Sequence, residues 1–136
     1  MQTFLPVADF TQSAKILDYK RLGKQRVEAR QLIDVLEGRT TAWSRHPCVG
    51  LWRGYTAALQ RYFNDVSKEW IDRGYKHTMG FYELTQSDLS LPFWVGNDDF
   101  HSRHRAALLF KDPVHYGKFG WCEQPELNYD WHPEKA

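Results

Sequence analysis

The sequence predicts an all-α protein, one compact domain spanning residues 1–136 with about three main helices. Three observations predict it. Apolar residues recur at helical spacing along residues 22–36, and again along residues 52–70. A third stretch opens at Asp98 or Asp99 and must close before Pro113, because the residue preceding proline avoids the helical region. The segments between are rich in Gly, Pro and aromatic residues, so they read as long aromatic-rich loops followed by an irregular C-terminal tail.

Each element has its own signal. Residues 1–8 (MQTFLPVA) are apolar and carry Pro6, which blocks an early helix, so they form an extended arm packed on the body. Asp9 or Thr11 caps a first short helix, with Gln12 three residues after Asp9 as a capping-box partner. The pattern strengthens through residue 37 and stops at Gly38, a favourable residue just past a helix end. Along it Leu22, Ala29, Leu32, Ile33 and Leu36 share one stripe, the face that meets the core. Gln25 falls inside this stripe, where a polar side chain needs a partner.

His46-Pro47 starts the second helix, with Pro at a permitted first-turn position. Trp52, Tyr55, Leu59, Tyr62, Phe63, Val66 and Trp70 then keep helical spacing for five turns, up to Arg73-Gly74. Residues 75–97 contain Gly80, Pro92 and Gly96 and read as an irregular connection. The tail, residues 114–136, is expected to wrap the body without regular structure.

Bulk composition excludes several classes. Two cysteines, Cys48 and Cys122, make neither a disulfide framework nor a CxxC metal pair, which points to a reducing compartment. No signal peptide opens the chain and no run of 18 apolar residues occurs, so an intracellular location without a membrane span is expected. The net charge of +1 hides an uneven distribution. Lys15, Lys20, Arg21, Lys24, Arg26 and Arg30 stand against Asp18 and Glu28 alone, a local +4, while the last 25 residues lean acidic.

The stretch "RLGKQRVEAR" concentrates this charge around Glu28. Glu28 is either an i,i+4 partner of Lys24 or a working group kept near a polyanion. Gly23, costly in a helix interior by roughly 1 kcal/mol, suggests close approach of another backbone or a ligand. His101 and His104 have i,i+3 spacing, but Arg103 and Arg105 interleave them and would repel a cation. A phosphate-facing patch therefore fits "HSRHR" better than a metal site. Cys48 reads as a buried structural thiol, although a helix start can lower a thiol pKa. The tail aromatics Tyr116, Phe119, Trp121, Tyr129 and Trp131 read mostly as satellite core, with base stacking as the functional alternative. No P-loop, GxSxG or dinucleotide fingerprint is present.

The order of these pieces resembles a known family. An apolar arm, a basic first helix with an embedded Glu, a His-Pro helix start, "EWIDRGYKHT" and a tail containing "HYGKFGW" are similar to the pyrimidine-dimer DNA glycosylases of the endonuclease V type. These are small all-helical base-excision enzymes, often carried by phages. The likeness runs loosely over nearly the whole chain, and its most specific pieces are "RLGKQRVEAR", "EWIDRGY" and Tyr116-Gly117-Lys118. The resemblance implies that the N-terminal α-amine attacks C1′ of a damaged nucleotide and that the resulting imine permits strand cleavage by β-elimination. A first-helix Glu assists, and by position that is Glu28.

The resemblance further implies phosphate contacts from Arg21, Arg26 and Arg30, with Lys118 as the tail lysine. Lys24, His46, Arg103 and Arg105 complete the expected DNA-facing set. Gln2 is too large for the usual removal of the initiator, so the nucleophile is expected to be the amine of Met1, with Lys20 or Lys24 as alternatives. An α-amine, with a pKa of about 7.7–8.0 against about 10.4 for Lys, is more often neutral and ready to attack. The imine is its own electron sink, so no cofactor or metal is expected. The expected partner is double-stranded DNA carrying a damaged pyrimidine, most naturally a cyclobutane dimer, bound by a monomer in a bacterial or phage-infected cell. A glycosylase for another modified base and a non-catalytic DNA-binding phage protein are the competing readings.

Overall fold

Asp9 starts the first helix as the sequence predicts, its side chain accepting a hydrogen bond from the Gln12 amide at 2.9 Å. The computed structural model describes residues 2–84 and 90–127. Among these residues six α-helices and one 3-10 turn occur, and no strand. They are α1 (Phe10–Ile16), α2 (Tyr19–Leu36), α3 (Pro47–Trp52), α4 (Thr56–Asp72), α5 (Asp98–Lys111) and α6 (Pro113–Tyr116), followed by the 3-10 turn Gly117–Phe119.

The three expected main helices are present, but one is divided. The 47–73 pattern breaks at Arg53-Gly54, because Gly54 takes a left-handed backbone (φ +87°) that a helix cannot contain. The tail departs from expectation too, since its first turn is helical and Pro113 starts α6. Tyr116 of that turn is fully buried. Its hydroxyl donates to Asp18 Oδ1 and accepts from the Asp18 amide at 3.0 Å, which fastens the tail to the N-cap of α2. Tyr129 and Trp131 lie outside the described residues.

Helix α2 buries Leu22, Ala29, Leu32 and Ile33 as its stripe predicts, chiefly against α4, which presents Leu59, Tyr62, Phe63 and Val66. Gly23 sits at this crossing. A Cβ there would lie 3.0 Å from two ring carbons of Trp70, so the close approach inferred from sequence is that of an indole, not of a ligand or another backbone. Trp52 and Trp94 are fully buried and meet edge to face at 5.0 Å, so much of the aromatic content is core.

The arm, residues 2–7, runs extended across this helical body with Thr3, Phe4, Leu5 and Pro6 buried. It has no neighbouring strand, yet its buried amides and carbonyls require partners. Gln25 supplies several of them. Its Oε1 accepts from the Phe4 amide at 2.9 Å, and its Nε2 donates to the Gln2 carbonyl at 2.8 Å. The Tyr62 hydroxyl lies against both the Phe4 carbonyl, at 2.8 Å, and Gln25 Oε1. The polar residue in the apolar stripe is thus the side-chain substitute for a β-strand partner. Gln25→Leu, similar in size, would orphan the buried Phe4 amide and the half-buried Gln2 carbonyl of the arm, at up to about 1–3 kcal/mol each. Denaturant unfolding of that variant should show a loss of up to roughly 2–6 kcal/mol, beyond the small effect of an apolar-for-apolar core exchange.

Candidate active site

Gln25 and Glu28 are neighbours one turn apart on α2, so the helix that grips the arm also presents the carboxylate. Glu28 Oε2 accepts from the Gln2 backbone amide at 3.1 Å and from Gln25 Nε2 at 3.3 Å. Among the described residues no cation lies within ion-pair distance of Glu28. Lys24 is exposed, and the i,i+4 pair that the sequence offers is not formed. Met1 lies outside the described residues.

The Gln2 side chain continues the network. Its Oε1 accepts from the Thr3 amide at 2.9 Å and faces the Cys48 thiol at 3.9 Å. Trp52 Nε1 donates to Thr3 Oγ1 at 2.9 Å, so α3 holds the arm from a second side. Burial pushes the Cys48 thiol up to about 11, against the weaker opposing effect of hydrogen bonding to Thr3. This is a neutral structural thiol and not an activated nucleophile. His46 caps α3, its Nδ1 accepting from the Cys48 amide at 3.0 Å, so the neutral ring carries its proton on Nε2. Burial lowers its pKa from the ordinary value, with the Glu28 carboxylate acting in the opposite direction. Trp43 packs edge-on against His46 at 6.0 Å.

The far end of the arm is held by α5. The Leu5 amide donates to His104 Nδ1 at 2.9 Å, and the Leu5 carbonyl lies 2.7 Å from His101 Nδ1. The Gly96 amide donates to His101 Nε2 at 2.9 Å, which leaves Nδ1 as the protonated nitrogen facing Leu5. Both histidines are buried. The phosphate-facing role that "HSRHR" suggested for them is therefore corrected, because their ring nitrogens serve the arm. Arg105 donates to the Pro6 carbonyl at 2.8 Å and pairs with Glu123 at 2.8 Å, while Arg103 pairs with Asp99 at 3.1 Å.

The other expected DNA-facing residues divide by engagement. Arg21 pairs with Asp18 at 3.2 Å. Burial alone would raise the Asp18 pKa, but hydrogen bonds from Tyr116 and Arg21 prevail and hold it below its usual value. Arg26 lies over the Trp70 ring at 4.5 Å with Nη1 at 2.8 Å from His77 Nδ1, and its Nε is buried without a hydrogen bond. Arg30 donates to the Met79 carbonyl at 3.2 Å and faces the Tyr82 ring. Lys118 is exposed beside Phe119, and no hydrogen bond or ion pair of the described residues ties it to Glu28. Lys20 and Lys111 fell outside the expected set. With Arg21, Arg73 and His115, and with the carboxylates of Asp18 and Asp112, they line an open cleft of 440 Å³ between the start of α2 and the α5–α6 junction, and neither lysine has an ion-pair partner among the described residues.

The arm, Glu28 and His46 all fall within residues 1–83, which match the family described as pyrimidine dimer DNA glycosylase. The chain belongs to that family. No curated protein and no solved structure matches it. The matched span ends before α5, so the His101, His104 and Arg105 contacts to the arm lie beyond it. Membership makes DNA the substrate, and the described helices include none long and apolar enough to cross a membrane.

In this glycosylase the α5 contacts set a pH limit. Burial holds the His104 imidazole down at about 3, and burial lowers His101 as well. The unfolded chain takes up these protons near pH 6.5, while folded His104 resists until about pH 3 and folded His101 is shifted in the same direction. Stability is therefore complete above about pH 6.5 and declines as pH falls toward about 3, by up to about 1.4 kcal/mol per pH unit for each proton. Guanidinium titrations at pH 7, 5 and 4 should show this decline, and His104→Gln, which keeps an acceptor but cannot titrate, should flatten it.

Proposed function

We propose that the protein excises a cyclobutane pyrimidine dimer by attack of the Met1 α-amine on C1′, with Glu28 as the assisting acid–base, and then cleaves the strand as an abasic-site lyase. The observation that carries this reading is the 3.1 Å hydrogen bond from the Gln2 amide to Glu28 Oε2, which brings the start of the chain to a carboxylate having no cationic partner among the described residues. A fixed arm spends its ordering cost at folding and not at each turnover. The buried anchors Phe4 and Leu5 contribute on the order of 2 kcal/mol each toward holding it.

In the proposed sequence the neutral amine forms a C1′–N bond as the glycosidic C1′–N1 bond breaks, and the base departs with the bonding pair and takes a proton. Glu28 stabilises the positive charge developing on the sugar and carries the amine proton to the opening ring oxygen, leaving a C1′=N imine. Loss of a C2′ proton to a base then expels the 3′ phosphate, and water releases the sugar fragment. The carboxylate needs no cofactor for any of these steps. Arg21, Lys24 and Arg30 would grip phosphates along α2, joined by Lys20 and Lys111 at the cleft. Arg26 and Arg105 are held by buried or backbone partners, so their share in the grip is proposed as minor, whereas Arg21, Arg30 and Arg103 would exchange the carboxylates of Asp18, Asp34 and Asp99 for phosphates.

Borohydride trapping on a dimer-containing duplex tests the reading. The free protein should form a covalent adduct through Met1. Acetylation of the amine or an uncleaved N-terminal tag should abolish the adduct while leaving duplex binding and folding intact. An adduct formed by the blocked protein would move the nucleophile to Lys20 or Lys24, and base release without any adduct would make it water. Separately, Glu28→Gln should keep duplex affinity within about twofold and slow base release by about 10²–10⁴-fold, the usual contribution of a positioned acid–base. Turnover at the wild-type rate in that variant would remove Glu28 from the mechanism.

A further inference from the structure

Trp43 is the one non-glycine residue among those described with a positive φ, +67°. A bulky side chain avoids this region, and the strain persists only when the surroundings impose it. Here they do. The Ser44 amide closes onto the Thr41 carbonyl at 3.2 Å and the His46 amide onto the Trp43 carbonyl at 2.8 Å, so turns on both sides fix the residue. The strain does not serve core packing. Trp43 is 56% exposed, whereas Trp52 and Trp94 are buried, and its ring meets His46 edge to face. His46 in turn caps α3 at the Cys48 amide, the Cys48 thiol faces Gln2 Oε1 at 3.9 Å, and the Gln2 amide donates to Glu28 at 3.1 Å. A large aromatic face is therefore held out into solvent at the rim of the Glu28 site.

The proposed chemistry gives that face a task. C1′ of a nucleotide stacked inside a duplex is shielded, so an enzyme acting there must unstack and displace a nucleotide. Exposed aromatic rings offer displaced or newly uncovered bases a stacking surface that tolerates any sequence. We propose that Trp43 stacks into the duplex at the lesion and stabilises the opened state in which Glu28 and the amine reach the sugar, a reading that rests on the glycosylase function above. Trp43 is then a determinant of lesion recognition and not a participant in bond making. An abasic site lacks the base whose removal must be accommodated, so it depends on this ring far less.

The experiment compares a dimer-containing duplex with the same duplex carrying an abasic site. Trp43→Ala should lower kcat/KM on the dimer by about 5- to 150-fold, the range of one base-stacking contact, and leave abasic-site cleavage within about twofold. Trp43→Phe should recover part of the loss. Trp43→Asn separates function from structure. Asn tolerates the left-handed region, so this variant should match or exceed the wild type in thermal stability while losing dimer turnover as Ala does. Wild-type dimer kinetics in Trp43→Ala, or equal losses on both duplexes, would overturn the proposal. A wild-type protein inactive on both duplexes would instead overturn the glycosylase reading on which it rests.

Discussion

A buried extended segment with no strand beside it among the described residues governs this structure. Each buried N–H and carbonyl of this segment would cost free energy if left unpaired, and the helices around it offer no backbone ladder to pair them. The partners are side chains instead: Glu28 and Gln25 from α2, Tyr62 from α4, His101, His104 and Arg105 from α5, and Ser13 from α1. The spacing of these groups on their helices must match the extended arm, which constrains how α2, α4 and α5 cross. Glu28 is the outermost member of the series, so its placement follows from the same constraint.

Helix α2 carries two demands that conflict locally. It must approach α4 closely enough for Gln25 to meet Tyr62 and must present cations outward. Gly23 permits the approach by leaving room for the Trp70 indole, and Arg26 covers the other part of that ring. The guanidinium of Arg26 thereby becomes largely a packing element, its charge extended through His77 to the Gly80 carbonyl of the following loop. Charge density on a helix is therefore a poor count of available phosphate contacts, since some cations brace the helix that carries the others.

What the sequence made legible follows the same physics. Periodicity marks Leu22, Ala29, Leu32 and Ile33 because burial has the period of the helix, and Asp9 and Pro47 mark helix starts because capping is local. The buried Phe4 and Leu5 and the anomaly at Gln25 were readable for similar reasons, one apolar run and one polar residue out of place. The break at Gly54 was not, because a single glycine within a continuing apolar pattern does not announce its φ. His101 and His104 misled because a basic setting suggests an exposed surface, whereas their partner is a backbone unit 96 to 99 residues away. The left-handed backbone at Trp43 is imposed by two consecutive turns that no glycine or asparagine marks there, and the Lys20–Lys111 cleft is a product of tertiary geometry.

The separation of Leu5 from His104 and of Pro6 from Arg105, 99 residues in each case, bears on how the protein is born. In synthesis the arm precedes the residues that fasten its far end by those 99 residues. Contacts this distant in sequence are slow to close and come late in folding. Residues 5 and 6 lack their His101, His104 and Arg105 partners until α5 has emerged and docked. Maturation of the site is thus timed by synthesis, and a polypeptide truncated before α5 would carry Glu28 and the arm without the fastening that brings them into register.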